Sequence, residues 1–196
     1  MHEDLLFTSE DVAKLQIYVD LLLKFNKSYN LIGKNTENAI WSRHILDSAQ
    51  LVRYIDFKSS SVLSDLGTGA GLPGIVLAIF NKNNDFHVKL YEKSPIKGNF
   101  LVNIIKELKI KNVQIKIVDV FKEKIERGYI VCRAFKKFDK LIQVSREIAQ
   151  KPHKFIILKG KNAQVEIKKT FKKEKFRYIM RKSITDKDSK IIIINA

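Results

Sequence analysis

The chain is poor in the residues that build covalent or metal-held frameworks. Cys132 is its one cysteine, which excludes a disulfide scaffold and a cysteine-based zinc site; a small buried side chain is expected there. The four histidines, His2, His44, His87 and His153, stand without metal-ligand spacing, and no metal is expected. Three prolines and eight glycines leave no proline-rich linker, low-complexity tract or repeat. No apolar run approaches the ~18 residues of a membrane span, and the start, Met1-His2-Glu3-Asp4, is acidic where a secretory signal is basic. A soluble, cytoplasmic monomer without membrane contact is expected.

Acid is scarce as well. Against 37 Lys+Arg stand 21 Asp+Glu, a net charge of +16, and residues 135–182 alone carry 16 basic and 4 acidic side chains. Such a surface suits a polyanion, because Lys and Arg contacts to phosphate gain affinity from counterion release. Solvated helix faces are the plainer alternative. The 196 residues, 45% of them hydrophobic, suffice for one domain with a sizeable core. We divide it into a helical extension, 1–55, and a core, 60–196.

What glycine there is lies concentrated. Four of the eight fall in Leu63-Ser64-Asp65-Leu66-Gly67-Thr68-Gly69-Ala70-Gly71-Leu72-Pro73-Gly74, between an apolar β-branched run and a helical pattern. A strand, a loop of bare main chain and a helix opening at Leu72-Pro73 make a cofactor-binding unit. Two parsings fit. Gly69-Ala70-Gly71-Leu72-Pro73-Gly74 is a dinucleotide fingerprint. Asp65-Leu66-Gly67-Thr68-Gly69-Ala70-Gly71 resembles motif I of class I S-adenosylmethionine-dependent methyltransferases. Glu92 stands at the spacing of a ribose ligand in either.

Helical periodicity over residues 9–29, with Thr8 or Ser9 as cap, and over 37–51 precedes strict alternation. Strands are predicted at 62–66, 88–92, 113–118, 129–132 and 155–159. Helices are predicted at 72–80, 95–108, 139–149 and 162–173. The apolar strands imply a parallel sheet covered on both faces. Segments 177–181 and 191–194 are joined by a link too short for a crossover helix and should pair antiparallel. The fold class is therefore α/β and Rossmann-like, mostly parallel with an antiparallel C-terminal strand pair, preceded by N-terminal helices.

The combination of Asn30-Leu31, Arg43-His44-Ile45-Leu46-Asp47-Ser48, the glycine block, Arg133-Ala134-Phe135 and Leu158-Lys159-Gly160 resembles the RsmG family, also called glucose-inhibited division protein B. The resemblance implies S-adenosyl-L-methionine as cofactor and methylation of a guanine nitrogen 7 in 16S ribosomal RNA or the small ribosomal subunit. That nitrogen has a free lone pair and no proton, so no general base is needed; alignment behind the methyl–sulfur bond is the main task. A nicotinamide oxidoreductase and a non-catalytic basic RNA-binding module are the alternatives.

The resemblance also implies site residues. Gly67, Gly69, Gly71 and Leu72 would approach the cofactor and Glu92 its ribose. Val120 and Phe121 would hold adenine through backbone groups, with Asp119 a lesser candidate. Arg133, at the carboxyl edge of its strand, would reach cofactor or target base as the catalytic residue. Arg43, His44 and Lys159 would contact RNA, with Asn30 and Lys34 near the mouth and Asp47 able to pair with Arg43. Gly98 departs from the family, which usually has a long or basic residue there.

Overall fold

Apolar spacing sets helix α1, Ser9–Tyr29, and a reciprocal capping box starts it: Asp11 N donates to Thr8 Oγ1 at 3.2 Å and Thr8 N to Asp11 Oδ2 at 3.0 Å. It ends at Asn30 in the left-handed conformation, φ 48°. The computed structural model describes residues 5–172 and 176–196. Met1–Asp4 and the expected last residue of the 162–173 helix lie outside the described residues.

The segment expected as one regular helix over 37–51 is instead composite. A 3₁₀ stretch Lys34–Ala39 leads into π-helical turns Trp41–Leu46, a single α-turn Asp47–Ala49 (α2), and a second 3₁₀ stretch Gln50–Tyr54. Ser48 Oγ, buried, donates back to His44 O at 2.7 Å, a local competitor to the regular ladder. The wider turn changes which side chains meet. Asp47 therefore does not pair with Arg43, as i,i+4 spacing predicted; it faces Arg133 at 3.6 Å, while Arg43 faces Asp186 at 3.6 Å.

Seven strands follow: β1 Ser61–Leu66, β2 Phe86–Glu92, β3 Val113–Ile117, β4 Gly128–Arg133, β5 His153–Lys159, β6 Ile179–Lys182 and β7 Lys190–Asn195. Their order is β3-β2-β1-β4-β5-β7-β6. The first five run parallel, and β7 pairs antiparallel with both β5 and β6. This is the α/β, Rossmann-like sheet with an antiparallel end that the link length implied.

Alternation along the strands feeds two cores. Val131, Ile156, Leu158, Ile191 and Ile193 enter the core shared with α1. Ile130, Cys132, Phe155, Ile157, Ile192 and Ile194 enter the one on the opposite face. Burial on both faces explains the near-continuous apolar runs.

The helices between strands are α3 Gly74–Phe80, α4 Pro95–Glu107, α5 Phe138–Gln143 and α6 Ala163–Phe171. Pro73 precedes α3 as its cap and does not occupy its first turn, because the chain is still turning through Gly71 and Leu72, whose N–H groups both donate to Thr68 O. The helix expected over 139–149 splits into α5 and π-helical turns Val144–Ile148. Gly98 belongs to packing: a Cβ there would lie 2.6 Å from the Ile117 side chain, so the small residue lets α4 sit on β3. Among the described residues, no helix is long and apolar enough to cross a membrane.

Candidate functional site

The carboxyl ends of β1, β2 and β4 and the turn after β3 converge on a cleft of about 230 Å3 lined by the main chain of Gly67 and Gly69, by Glu92, Asp119 and Val120, and by Ala134 and Phe135. Open α/β sheets bind ligands at this edge. The glycine loop is held from below. Asp65, wholly buried, accepts from Thr68 Oγ1 at 2.5 Å and from Gly74 N at 2.8 Å through Oδ2. Burial pushes its carboxyl up to about 6, against the pull of those two bonds. Glu92 holds the loop from the side, accepting from Gly69 N at 3.0 Å and from Ser94 N at 2.8 Å. One carboxylate thus ties the β1 loop to the start of α4 and keeps lone pairs toward the cleft.

The helix start offers less than expected. Gly74 N–H is consumed by Asp65 and Ile75 N–H by Gly71 O at 2.7 Å. Leu72 is 3% exposed and packs in the core, away from the cleft. Gly71, at φ +99°, is required by packing: a Cβ would come within 2.6 Å of Ile75 Cγ1. Gly67 and Gly69 alone of the loop glycines line the cleft. Phe135 lies directly over Gly67, where a Cβ would fall 2.1 Å from its ring.

The turn after β3 is 3₁₀, Val120–Lys122, capped by Asp119, which accepts from Phe121 N at 3.1 Å. The Phe121 N–H expected to be open to adenine is therefore already bonded, while Val120 and Asp119 border the cleft. Phe121 and Phe135 stack at 6.2 Å, with Lys136 Nζ 5.9 and 5.8 Å from the two ring centres.

A second recess, about 110 Å3, lies on the other side of Ala134, which borders both cavities; Asp47, Arg133, Leu158, Lys159, Gly160 and Ser189 complete it. Arg133 lines this recess and is tied to the helical segment, donating to Arg43 O at 3.0 Å and to His44 Nδ1 at 2.7 Å. Burial works against its charge; Asp47, then Tyr18 and Asp65, support it. His44 is buried and bonded on both ring nitrogens, the second facing Thr36 Oγ1 at 2.7 Å. Its expected RNA contact gives way to this internal role. Lys159 is also committed, donating to Glu166 Oε2 at 2.8 Å and Lys136 O at 2.7 Å. Asn30 caps α1, and Lys34 is exposed.

Sequence reasoning missed two contributors. Phe135 is part of the Arg133-Ala134-Phe135 block, yet its position on Gly67 depends on Ala134 adopting φ 48°. The β6–β7 link, taken only as a connector, closes on the helical segment: Thr185 Oγ1 donates to Asp47 Oδ1 at 2.9 Å, and Gln50 Nε2 bonds Ser183 Oγ at 3.0 Å. Its run of hydroxyl and acid side chains, 183–189, was the available signal.

The fold is shared with solved methyltransferases, among them an S-adenosylmethionine-dependent methyltransferase from Aquifex aeolicus, with TM-score 0.63, 13% identity, and 80% of this chain and 92% of that one covered. Two curated relatives carry the name ribosomal RNA small subunit methyltransferase G. That of Rickettsia bellii (strain OSU 85-389) is 39% identical over 188 residues, covering 95% of this chain and 94% of its own. That of Rickettsia typhi is 41% identical over 189 residues, covering 95% of each. The family model described as rRNA small subunit methyltransferase G matches residues 11–193, and the chain belongs to that family, GidB.

Proposed function

We propose that this protein methylates nitrogen 7 of a guanine in 16S ribosomal RNA, as a cytoplasmic monomer whose helical extension, 1–55, and core, 60–196, work as one domain. The observation that carries the reading is the pair of recesses meeting at Ala134, one walled by bare main chain and a carboxylate, the other by a half-buried arginine, in a chain of this family.

The cleft suits the cofactor. Gly69 exposes main chain without Cβ and Gly67 lines the cleft beneath the Phe135 ring, and Glu92 keeps acceptor capacity for a ribose diol. Asp119 and Val120 border the opposite end, where an adenine amino group would find an acceptor. S-adenosylmethionine, when bound, supplies a methyl group activated on a sulfonium. The chain's own task is then to hold the acceptor nitrogen in line and to exclude water. No side chain has to remove a proton, because the acceptor nitrogen carries none. The exposed lysines of α6, Lys168 and Lys169, and the neighbouring Lys172 provide charge for ribosomal RNA phosphates.

The test is mass-spectrometric mapping of small-subunit ribosomal RNA from cells with and without the gene, paired with calorimetry against S-adenosylhomocysteine and NAD. One 7-methylguanosine lost with the gene, and binding of S-adenosylhomocysteine alone, are expected. Binding of NAD would move the reading to an oxidoreductase, and binding of neither to an RNA-binding module.

A further inference from the structure

We infer that the recess beside Ala134 reads the target guanine by its Watson–Crick edge, with Arg133 donating to O6 and Asp47 accepting from N1–H and the 2-amino group, so that N7 faces the glycine cleft. This rests on the guanine-N7 reading proposed above.

The two side chains are placed as a pair and held from behind. Arg133 Nη1 lies 3.6 Å from Asp47 Oδ2, with side chains 16% and 15% exposed. His44 and Arg43 O take one donor on each of the two Nη atoms of Arg133, leaving three of the guanidinium's five N–H groups. On Asp47 the internal bonds gather on Oδ1, from Gln50 Nε2 at 2.8 Å, Thr185 Oγ1 at 2.9 Å and Ser183 Oγ at 3.3 Å. Oδ2 takes none of these bonds and faces Arg133 Nη1.

With Oδ1 committed to these internal donors, the guanidinium and the two lone pairs of Oδ2 together offer donor, acceptor, acceptor. That is the pattern cytosine presents to guanine, whose edge reads acceptor O6, donor N1–H and donor N2. Adenine would set its 6-amino donor against the guanidinium and its N1 lone pair against the carboxylate, leaving buried polar groups unpaired. The recess has room for a flat base, with Leu158 as apolar wall and no atom within 4 Å of a Cβ placed on Gly160. Lys159 does not compete for the base, since Glu166 and Lys136 O hold its amine.

The edge chosen matters for the chemistry. A bidentate grip on O6 and N7, the usual arginine contact to guanine, would occupy the nucleophile. A grip on the opposite edge leaves N7 free. As the methyl group bonds to N7, the ring gains positive charge and N1–H becomes a stronger donor, so the bond to Asp47 strengthens on the way to the transition state. No proton leaves; only the hydrogen bond tightens.

The experiment uses the full-length protein and reconstituted small subunits carrying either guanosine or inosine, which lacks the 2-amino group, at the methylated position mapped with the wild type. Single-turnover methylation of guanosine should exceed that of inosine by about tenfold or more in the wild type. Asp47→Asn and Asp47→Ala should slow guanosine methylation at least ~30-fold and bring the two substrates to near-equal rates, with affinity for S-adenosylhomocysteine unchanged. Equal wild-type rates on both substrates, or a guanosine preference that survives both substitutions, would overturn the inference while N7 methylation stands. Failure of the wild type to form 7-methylguanosine or 7-methylinosine would remove both readings.

Discussion

Arg133 donates from Nη2 to His44 Nδ1 at 2.7 Å, which makes His44 a neutral imidazole with its proton on Nε2. That proton is directed at Thr36 Oγ1, 2.7 Å away, whose hydroxyl donates to Gly33 O at 2.7 Å. A single directed chain therefore runs from the edge of β4 into the helical segment. The guanidinium enters the recess at a fixed angle because its outer nitrogens are already bound.

Burial, then the charges of Arg133 and Arg43, push His44 down to about 4. A base depressed in the folded state leaves the unfolded chain with more protons between pH 6.5 and about 4. Its contribution to stability is full above pH 6.5 and is lost as pH falls through 4. Denaturant titrations should show this acid-side loss in the wild type and a shallower one in His44→Gln. NMR should find no titration of His44 between pH 5 and 8. Methylation by His44→Ala should fall about 10–100-fold, the range for a lost hydrogen bond to a charged group, with affinity for S-adenosylhomocysteine unchanged.

Glu92 couples two elements through one carboxylate, with Gly69 N on Oε2 and Ser94 N on Oε1. Glu92→Gln retains one acceptor oxygen and turns the other position into a donor that faces an N–H. Affinity for S-adenosylhomocysteine should drop at least ~10-fold, as for loss of a charge-assisted bond. Calorimetry checks this, and an unchanged dissociation constant would remove Glu92 from the cofactor site.

Much of the scaffold was legible because it rests on local periodicity. The near-continuous apolar runs of β4, β5 and β7 and the spacing of Leu15, Val19 and Leu22 on α1 report burial directly. The 34–54 segment was not, because its π-helical and 3₁₀ turns answer to Ser48 back-bonding and to partners from β4 and from 183–186, far away in sequence. The site divides the same way. Glycine spacing located Gly67 and Glu92 at the cleft, while the assignment of Asp47 to Arg43 failed because the ion pair is set by the tertiary approach of β4. Lys159 and His44 show the same limit: their chemistry was visible, and their internal partners were not.

The loop glycines serve different ends, which substitution can separate. At Gly71 an added Cβ meets Ile75 and Leu101 side chains at 2.6 and 2.9 Å, and φ is +99°; at Gly160 nothing lies within 4 Å. Gly71→Ala should lower the stability of the free protein by about 1–3 kcal/mol, combining overpacking with left-handed strain. Gly160→Ala should leave it within ~0.5 kcal/mol. Thermal or denaturant unfolding without ligand distinguishes this packing role from a purely ligand-facing one, under which both variants would unfold like the wild type.

Charge on the C-terminal third gives a prediction independent of the cleft. Lys168 and Lys169 are exposed in the last turn of α6 and Lys172 is exposed just beyond it. Phosphate contacts by these side chains release counterions, so binding should weaken with salt in proportion to their number. The triple substitution Lys168→Gln, Lys169→Gln, Lys172→Gln should weaken binding to small-subunit RNA and reduce the slope of log K against log salt by ~0.7–0.9 for each contact removed. Affinity for S-adenosylhomocysteine should not move. An unaltered slope would place the RNA on another face of the protein, whatever the loss of net charge.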